Sequence, residues 1–262
     1  LAGEPAKGRV YSRPRAHGWL GSRQLLPATH RLKLSDCVHC EHRSLRKFCN
    51  LGETALLDYA KIGVEDSFAR GMTLFQEGGR SKSVYVVCTG QVKLFCTSRE
   101  GNTLILKIAM PGDVLGLGAV LSDSNYEVTA ETIQPAQIKR IGREDFLLFL
   151  EKHGEGSLHA ARALSDDYKA AFFDARRLAL SGSAAGRLAG VLLDWGKAAG
   201  ACGKLEMRFT MALTHEELAS MVGSSRETVT RMLTRFKKEK LIEMRGSSIL
   251  ILAPALMETL IA

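Results

Sequence analysis

The residues best suited to chemistry stand in "THEELASMVGSSRETVTRMLTRFKKEKL", near the end of the 262-residue chain. Arg226, Glu227 and Arg231 fall within two helical turns, directly after Ser225, a residue type that caps helices. A guanidinium donates two hydrogen bonds to guanine O6 and N7, and a carboxylate accepts one from a cytosine amine. The trio therefore favours G·C pairs, each good pairing contributing on the order of 1–3 kcal/mol of discrimination. The hydroxyls of Ser225 and Thr228 suit phosphate oxygens, which position a helix without reading sequence. Glu227 has a second role open to it, as an i,i+4 partner for Arg231.

A second group is made of thiols. Cys37, Cys40 and Cys49 form a C-x2-C-x8-C run, half of the chain's six cysteines. No apolar secretion signal precedes them, so a disulfide framework is not expected. Soft thiolates at this density suit an iron–sulfur cluster or zinc. Cys88 or Cys96 could supply a further ligand, and His39 or His42 could complete a mixed zinc site. The alternative is a cluster of unligated thiols. Cys202 falls in a separate, loop-like stretch.

Each group needs elements to hold it. Thr214 can cap a helix with Glu216 and Glu217 in its first turn, favourable against the helix dipole. Ala219 is small where two helices would cross, and Gly223 suits a tight turn between them. Leu218, Ala219, Val222, Val229 and Met232 are expected to face inward. "LIEMRGSSILIL" reads as a hairpin wing turning at Arg245–Ser248, and Ala184–Lys197 as an amphipathic helix before the pair.

Upstream, residues 71–142 alternate short apolar runs with glycine-bearing turns, the pattern of a compact all-β unit. From Arg143 the period turns helical. Leu158, Ala161, Ser165, Tyr168, Phe172, Ala175 and Ala179 recur at three- and four-residue steps, a seam suited to a second copy of the same helix. The expected organisation is a basic, disordered tail over 1–34 and a sensory β domain with the cysteine cluster over 35–155. A dimerisation helix and hinge follow over 156–182, then a winged helix-turn-helix over 183–262.

Charge follows this division. The net +8 divides into +6 over residues 1–34, −1 over 35–182 and +3 over 183–262. Basic ends beside a near-neutral centre suit nucleic acid, where phosphate neutralisation supplies most non-specific affinity. No run of 18 uncharged apolar residues is present, so no membrane span is expected, and the default location is cytoplasmic. An enzyme is not expected. A metal-dependent dioxygenase or isomerase on a small β-barrel would need a clustered His/carboxylate triad, and residues 71–142 hold no histidine. The remaining alternative is an interaction protein that does not bind DNA, which intact Arg226 and Arg231 oppose.

"GSSRETVTRML", the turn "PGDVLGLG" and the order of β unit, long helix and winged helix resemble the cyclic-AMP receptor and fumarate-nitrate regulator superfamily (CRP/FNR) over residues 35–262. The resemblance implies an α+β fold: an N-terminal β-roll of the cyclic-nucleotide-binding, jelly-roll kind, a long dimerisation helix and a C-terminal winged helix-turn-helix. It implies a homodimeric transcription regulator on double-stranded promoter DNA, with RNA polymerase as partner. By it, Arg226, Glu227 and Arg231 read bases in half-sites of the GTGA kind, and Thr214, Ser225 and Thr228 contact phosphates. The effector loop departs from the family's cyclic-nucleotide binders. It begins Gly116-Leu117 where they have Gly-Glu, and their Arg-Ser pair falls at Glu127 and Val128. A glutamate repels a phosphate, so cyclic AMP is not expected. The cysteines resemble the iron–sulfur site of the oxygen-sensing branch. The second spacing is longer here, and the family's fourth ligand position falls at Lys139.

Overall fold

The computed structural model describes residues 37–46, 48–180, 182–201 and 207–261. The basic tail, the Ser181 end of the expected hinge and Cys202 lie outside the described residues. The first helix, α1 (Glu53–Lys61), leads into β1 (Val64–Phe68), β2 (Thr73–Phe75), β3 (Ser83–Thr89), β4 (Val92–Thr97), β5 (Thr103–Ala109) and β6 (Val114–Leu115). A short α2 (Leu117–Ser122) separates these from β7 (Thr129–Thr132) and β8 (Ala136–Gly142). The strands form two antiparallel sheets, ordered β1-β8-β3-β6 and β2-β7-β4-β5. β-Branched residues fill two cores, Val84, Val86 and Ile141 in one and Val92 and Ile138 in the other, and all are fully buried. This is the expected β-roll.

Two helices, α3 (Arg143–Lys152) and the 27-residue α4 (Gly154–Leu180), close the roll. Helix α4 has two faces of different fate. Ala160, Ala163 and Leu164 pack on the core beneath α1 and α3. Leu158, Tyr168 and Phe172 are 50–72% exposed on the other side, with Ala161, Ser165, Ala175 and Ala179 also in solvent. The seam read from the sequence is therefore an exposed apolar stripe on the single chain.

The last unit comprises α5 (Ala184–Ala201), β9 (Arg208–Thr210), α6 (His215–Val222), α7 (Arg226–Lys238), β10 (Ile242–Arg245), β11 (Ser248–Ile251) and α8 (Pro254–Thr259). Strands β10 and β11 form the wing, with Arg245 paired to Ser248 across its turn, and β9 adds a third strand. Leu188 and Leu192 of α5 join Leu218, Val222, Val229, Leu233 and Phe236 in one core. Burying a side chain of this size stabilises by about 1.5–3 kcal/mol. That core fixes the crossing of α6 and α7.

Candidate nucleic-acid interface and thiol cavity

The start of α6 is held by a capping box. Thr214 Oγ1 accepts a hydrogen bond from the Glu217 backbone N–H at 3.1 Å, while Glu217 Oε2 accepts from the Thr214 backbone N–H at 2.9 Å. Gly223 closes the helix at φ +57°, a left-handed conformation that favours glycine. The turn is gripped from α5, where Arg187 Nε donates to the Val222 carbonyl at 2.7 Å and Nη2 to that of Gly223 at 3.3 Å. A cation on the last carbonyls of α6 also meets the negative end of its dipole.

Ser225 then opens α7, its hydroxyl accepting from the Thr228 N–H at 3.2 Å and lying 3.0 Å from Thr228 Oγ1. Val229, Met232, Leu233 and Phe236 turn inward, which leaves Arg226, Glu227 and Arg231 exposed. All three project from the first half of the helix, the part a recognition helix presents to a major groove. Glu227 is held below its ordinary value by hydrogen bonds from its own backbone N–H and from Ser225, so it faces solvent ionised. Thr230 shares the exposed face, and His215 of α6 lies 2.9 Å from its hydroxyl, tying the two helices together. Arg235, Lys237 and Lys238 continue the positive surface.

The thiol group also converges. Cys37, Cys40 and Cys49 line a cavity of about 20 Å³ together with Cys88, which enters from β3. A bulge between Val87 and Thr89 turns Cys88 out of the regular β3–β8 register. Cys96 stays in the other sheet, facing the Leu104 carbonyl at 3.9 Å, and His39 and His42 are exposed. Arg46 Nη1 reaches Cys40 Sγ at 3.5 Å, and Lys139 Nζ reaches Cys37 Sγ at 3.5 Å. Lys139 is 2% exposed and also donates to the Tyr59 carbonyl at 2.9 Å, its ammonium 4.6 Å from the Tyr59 ring centre. Where a fourth ligand falls by resemblance, the fold places a buried cation against a thiol. Burial pushes the Cys49 thiol up to about 11 and the Cys88 thiol up to about 12. The Tyr59 hydroxyl is buried in the same cavity and has no nitrogen or oxygen partner.

Four thiols are by type the soft donors a thiophilic metal takes, with Arg46 and Lys139 placed to balance their charge. The cavity as folded admits a single ion, and among the described residues no three ligating side chains yet converge on one point. At the effector loop, Glu127 lies near the first turn of α2, its Oε1 4.0 Å from where a Cβ on Gly118 would stand.

Of the two thiols the sequence offered as a further ligand, Cys88 lines the cavity and Cys96 does not. Two residues of this architecture escaped sequence reasoning: Arg187, and Lys93, whose contacts are described below. Both act across elements far apart in sequence.

Both folded domains have counterparts among known proteins. Residues 186–260 match the Crp-like helix-turn-helix domain family, and residues 65–153 match the cyclic nucleotide-binding domain family. A CRP-like cAMP-activated global transcriptional regulator of Mycobacterium tuberculosis is 29% identical over 184 residues, covering 70% of this chain and 82% of its own length. The fumarate and nitrate reduction regulatory protein of Vibrio cholerae is 25% identical over 234 residues, covering 86% and 92%. The structure of FixK2 from Bradyrhizobium japonicum superposes with a TM-score of 0.67 at 20% identity, over 77% of this chain and 98% of that one.

Proposed function

This chain belongs to the CRP/FNR superfamily of DNA-binding transcription regulators, and from that premise we propose that it acts as a homodimer controlled by a thiol-held metal. The observation that carries the DNA side is the exposed trio Arg226, Glu227 and Arg231 on a helix whose other face is locked into a core. Each recognition helix enters the major groove of one half-site, with Thr214, Ser225 and Thr228 against phosphates. The exposed stripe of α4 packs on its counterpart, which gives the two-fold axis a palindromic site requires. RNA polymerase is the partner at the promoter.

The sensing side rests on Cys37, Cys40, Cys49 and Cys88 around one cavity. They would hold an iron–sulfur cluster or zinc, and the metal would supply redox sensitivity or a structural clamp respectively. Cyclic AMP is not the proposed effector, because Glu127 opposes a phosphate beside α2. Anaerobic purification with an absorption spectrum and iron, sulfide and zinc analysis tests this half. Metal in stoichiometric amount supports it, and a metal-free protein that still regulates DNA binding with redox state or oxygen refutes it. The DNA half is tested by fluorescence anisotropy on a duplex with two inverted GTGA half-sites against a scrambled duplex of equal length.

A further inference from the structure

Lys93 stands on β4 of the β-roll, yet its ammonium ends between carboxylates of two different units. Glu131 of β7 lies at 2.9 Å and Glu217 of α6 at 3.1 Å. The Lys93 and Glu217 side chains are only 16% and 17% exposed, so this pair is shielded from solvent far more than a surface ion pair. Burial pushes Lys93 down and Glu217 up, but their mutual contacts, with Glu131 and Thr214, outweigh it. Both therefore stay charged near neutral pH. Glu217 is also the residue that closes the α6 capping box, so Lys93 is tied to the frame of the helix-turn-helix itself.

Apolar contacts accompany the pair. Ile133, between β7 and β8, is 2% exposed within the same core as Leu218 and Met211, and Ile108 of β5 packs against it. Beyond Lys93, the β4–β5 hairpin runs on to Gly101, Asn102 and Thr103, which form one wall of a cleft of about 660 Å³. Ser225, Arg226 and Glu227 form the opposite wall. In a major groove about 12 Å wide, phosphate strands pass on both flanks of the helix that enters it. Here the hairpin tip faces one flank of the DNA-reading end of α7 across that cleft.

The geometry points to an autoinhibitory latch: Lys93, seated on Glu131, grips Glu217 and holds the β4–β5 hairpin across the DNA-reading end of α7, so that DNA binding requires the latch to open. The inference rests on the assignment of α7 as the reading helix. A signal at the sensory domain then acts by favouring the open state, which a ligand-like perturbation can do only through a difference between the two states.

The test uses the full-length protein and Lys93→Met, which keeps the apolar stem and removes the ammonium. Simple electrostatics makes the loss of a positive charge weaken DNA binding. The latch gives the opposite sign: affinity for the inverted GTGA duplex rises about tenfold as the closed state loses its tie. Amide exchange at residues 99–103 rises with it. Glu217→Gln, which can still close a capping box, has the same effect, and the double variant adds little to either single one. Should Lys93→Met fail to fold, Glu217→Gln carries the test through the same exchange readout. Unchanged or weaker binding by folded Lys93→Met, with Arg226-dependent binding by the parent, overturns the latch and leaves the DNA reading standing. If parent and variants all bind the specific and scrambled duplexes alike, the base-reading assignment falls and the latch falls with it.

Discussion

Replacing Arg226 by Ala isolates base reading from folding. The side chain is exposed at the first position of α7, so the core does not notice its loss. Exposed substitutions of this kind change stability by about 0.5 kcal/mol or less. A bidentate arginine–guanine pairing contributes about 1–3 kcal/mol, and a symmetric dimer makes it twice, so the expected loss is about 2–6 kcal/mol per complex. At about 1.4 kcal/mol per decade, that is roughly thirtyfold to ten-thousandfold in affinity. Fluorescence anisotropy at one fixed salt concentration measures it, on the inverted GTGA duplex and on one with the contacted guanine replaced. The parent should lose affinity on the altered duplex, whereas Arg226→Ala should bind the two nearly alike. The slope of log affinity against log salt should move by no more than about one unit per arginine removed. Equal weakening on specific and scrambled duplexes would make Arg226 a phosphate contact, and no weakening at all would remove α7 from the groove.

Cys88→Ser should reduce the metal bound per chain in anaerobically reconstituted protein, while Cys96→Ser should not; equal retention by both would dismiss Cys88 as a ligand. Phe172→Glu places charge in the exposed α4 stripe and should shift the protein from dimer to monomer in light scattering; an unchanged mass would refute the seam. A Cβ on Gly186 would overlap the Leu260 carbonyl oxygen, so Gly186→Ala should lower stability by about 1–3 kcal/mol in urea unfolding, and a neutral result would mean α8 can move aside. Asp58 is held well below its ordinary 3.8 by hydrogen bonds from Lys152, Lys61 and His153. Its contribution is present above that value and is lost as pH falls below it, so melting temperature should drop on acidification more steeply for the parent than for Asp58→Asn.

The helix-turn-helix was legible because its signals are local. Thr214, Gly223 and Ser225 mark ends, while Leu218, Ala219, Val222, Val229 and Met232 repeat at helical spacing, and all five apolar residues are buried. The β-roll was legible for the same reason, through short apolar runs punctuated by glycine. Which thiol joins Cys37, Cys40 and Cys49 was not legible. It depends on a bulge in β3 and on the register of β3 against β8, a pairing between segments some fifty residues apart. The bulge accompanies the entry of Cys88 into the cavity. Lys93 and Arg187 were hidden more deeply, since a lone cation on a strand or helix acquires meaning only from a carboxylate or carbonyl on another unit.

These separate features share one route through the chain. Cys88 stands two residues before the Gly90–Gln91 connection, and Lys93 stands just beyond it. The thiol cavity and the proposed latch thus flank the short link by which the chain passes from one sheet to the other. On β5, the strand paired with β4, Lys107 binds Asp167 of α4 at 2.7 Å and Asp113 at 3.3 Å. One antiparallel ribbon therefore carries a cation to the recognition unit and another to the long helix. Strands are stiff along their length, and an interior packed to crystal-like density transmits displacement. A shift of Cys88 on ligation or oxidation would reach Lys93 through five residues of backbone, without passing through an effector pocket. If the proposed latch holds, a β-roll with Glu127 beside α2 could control α7 through that link, and a nucleotide would be only one of the things that could move it.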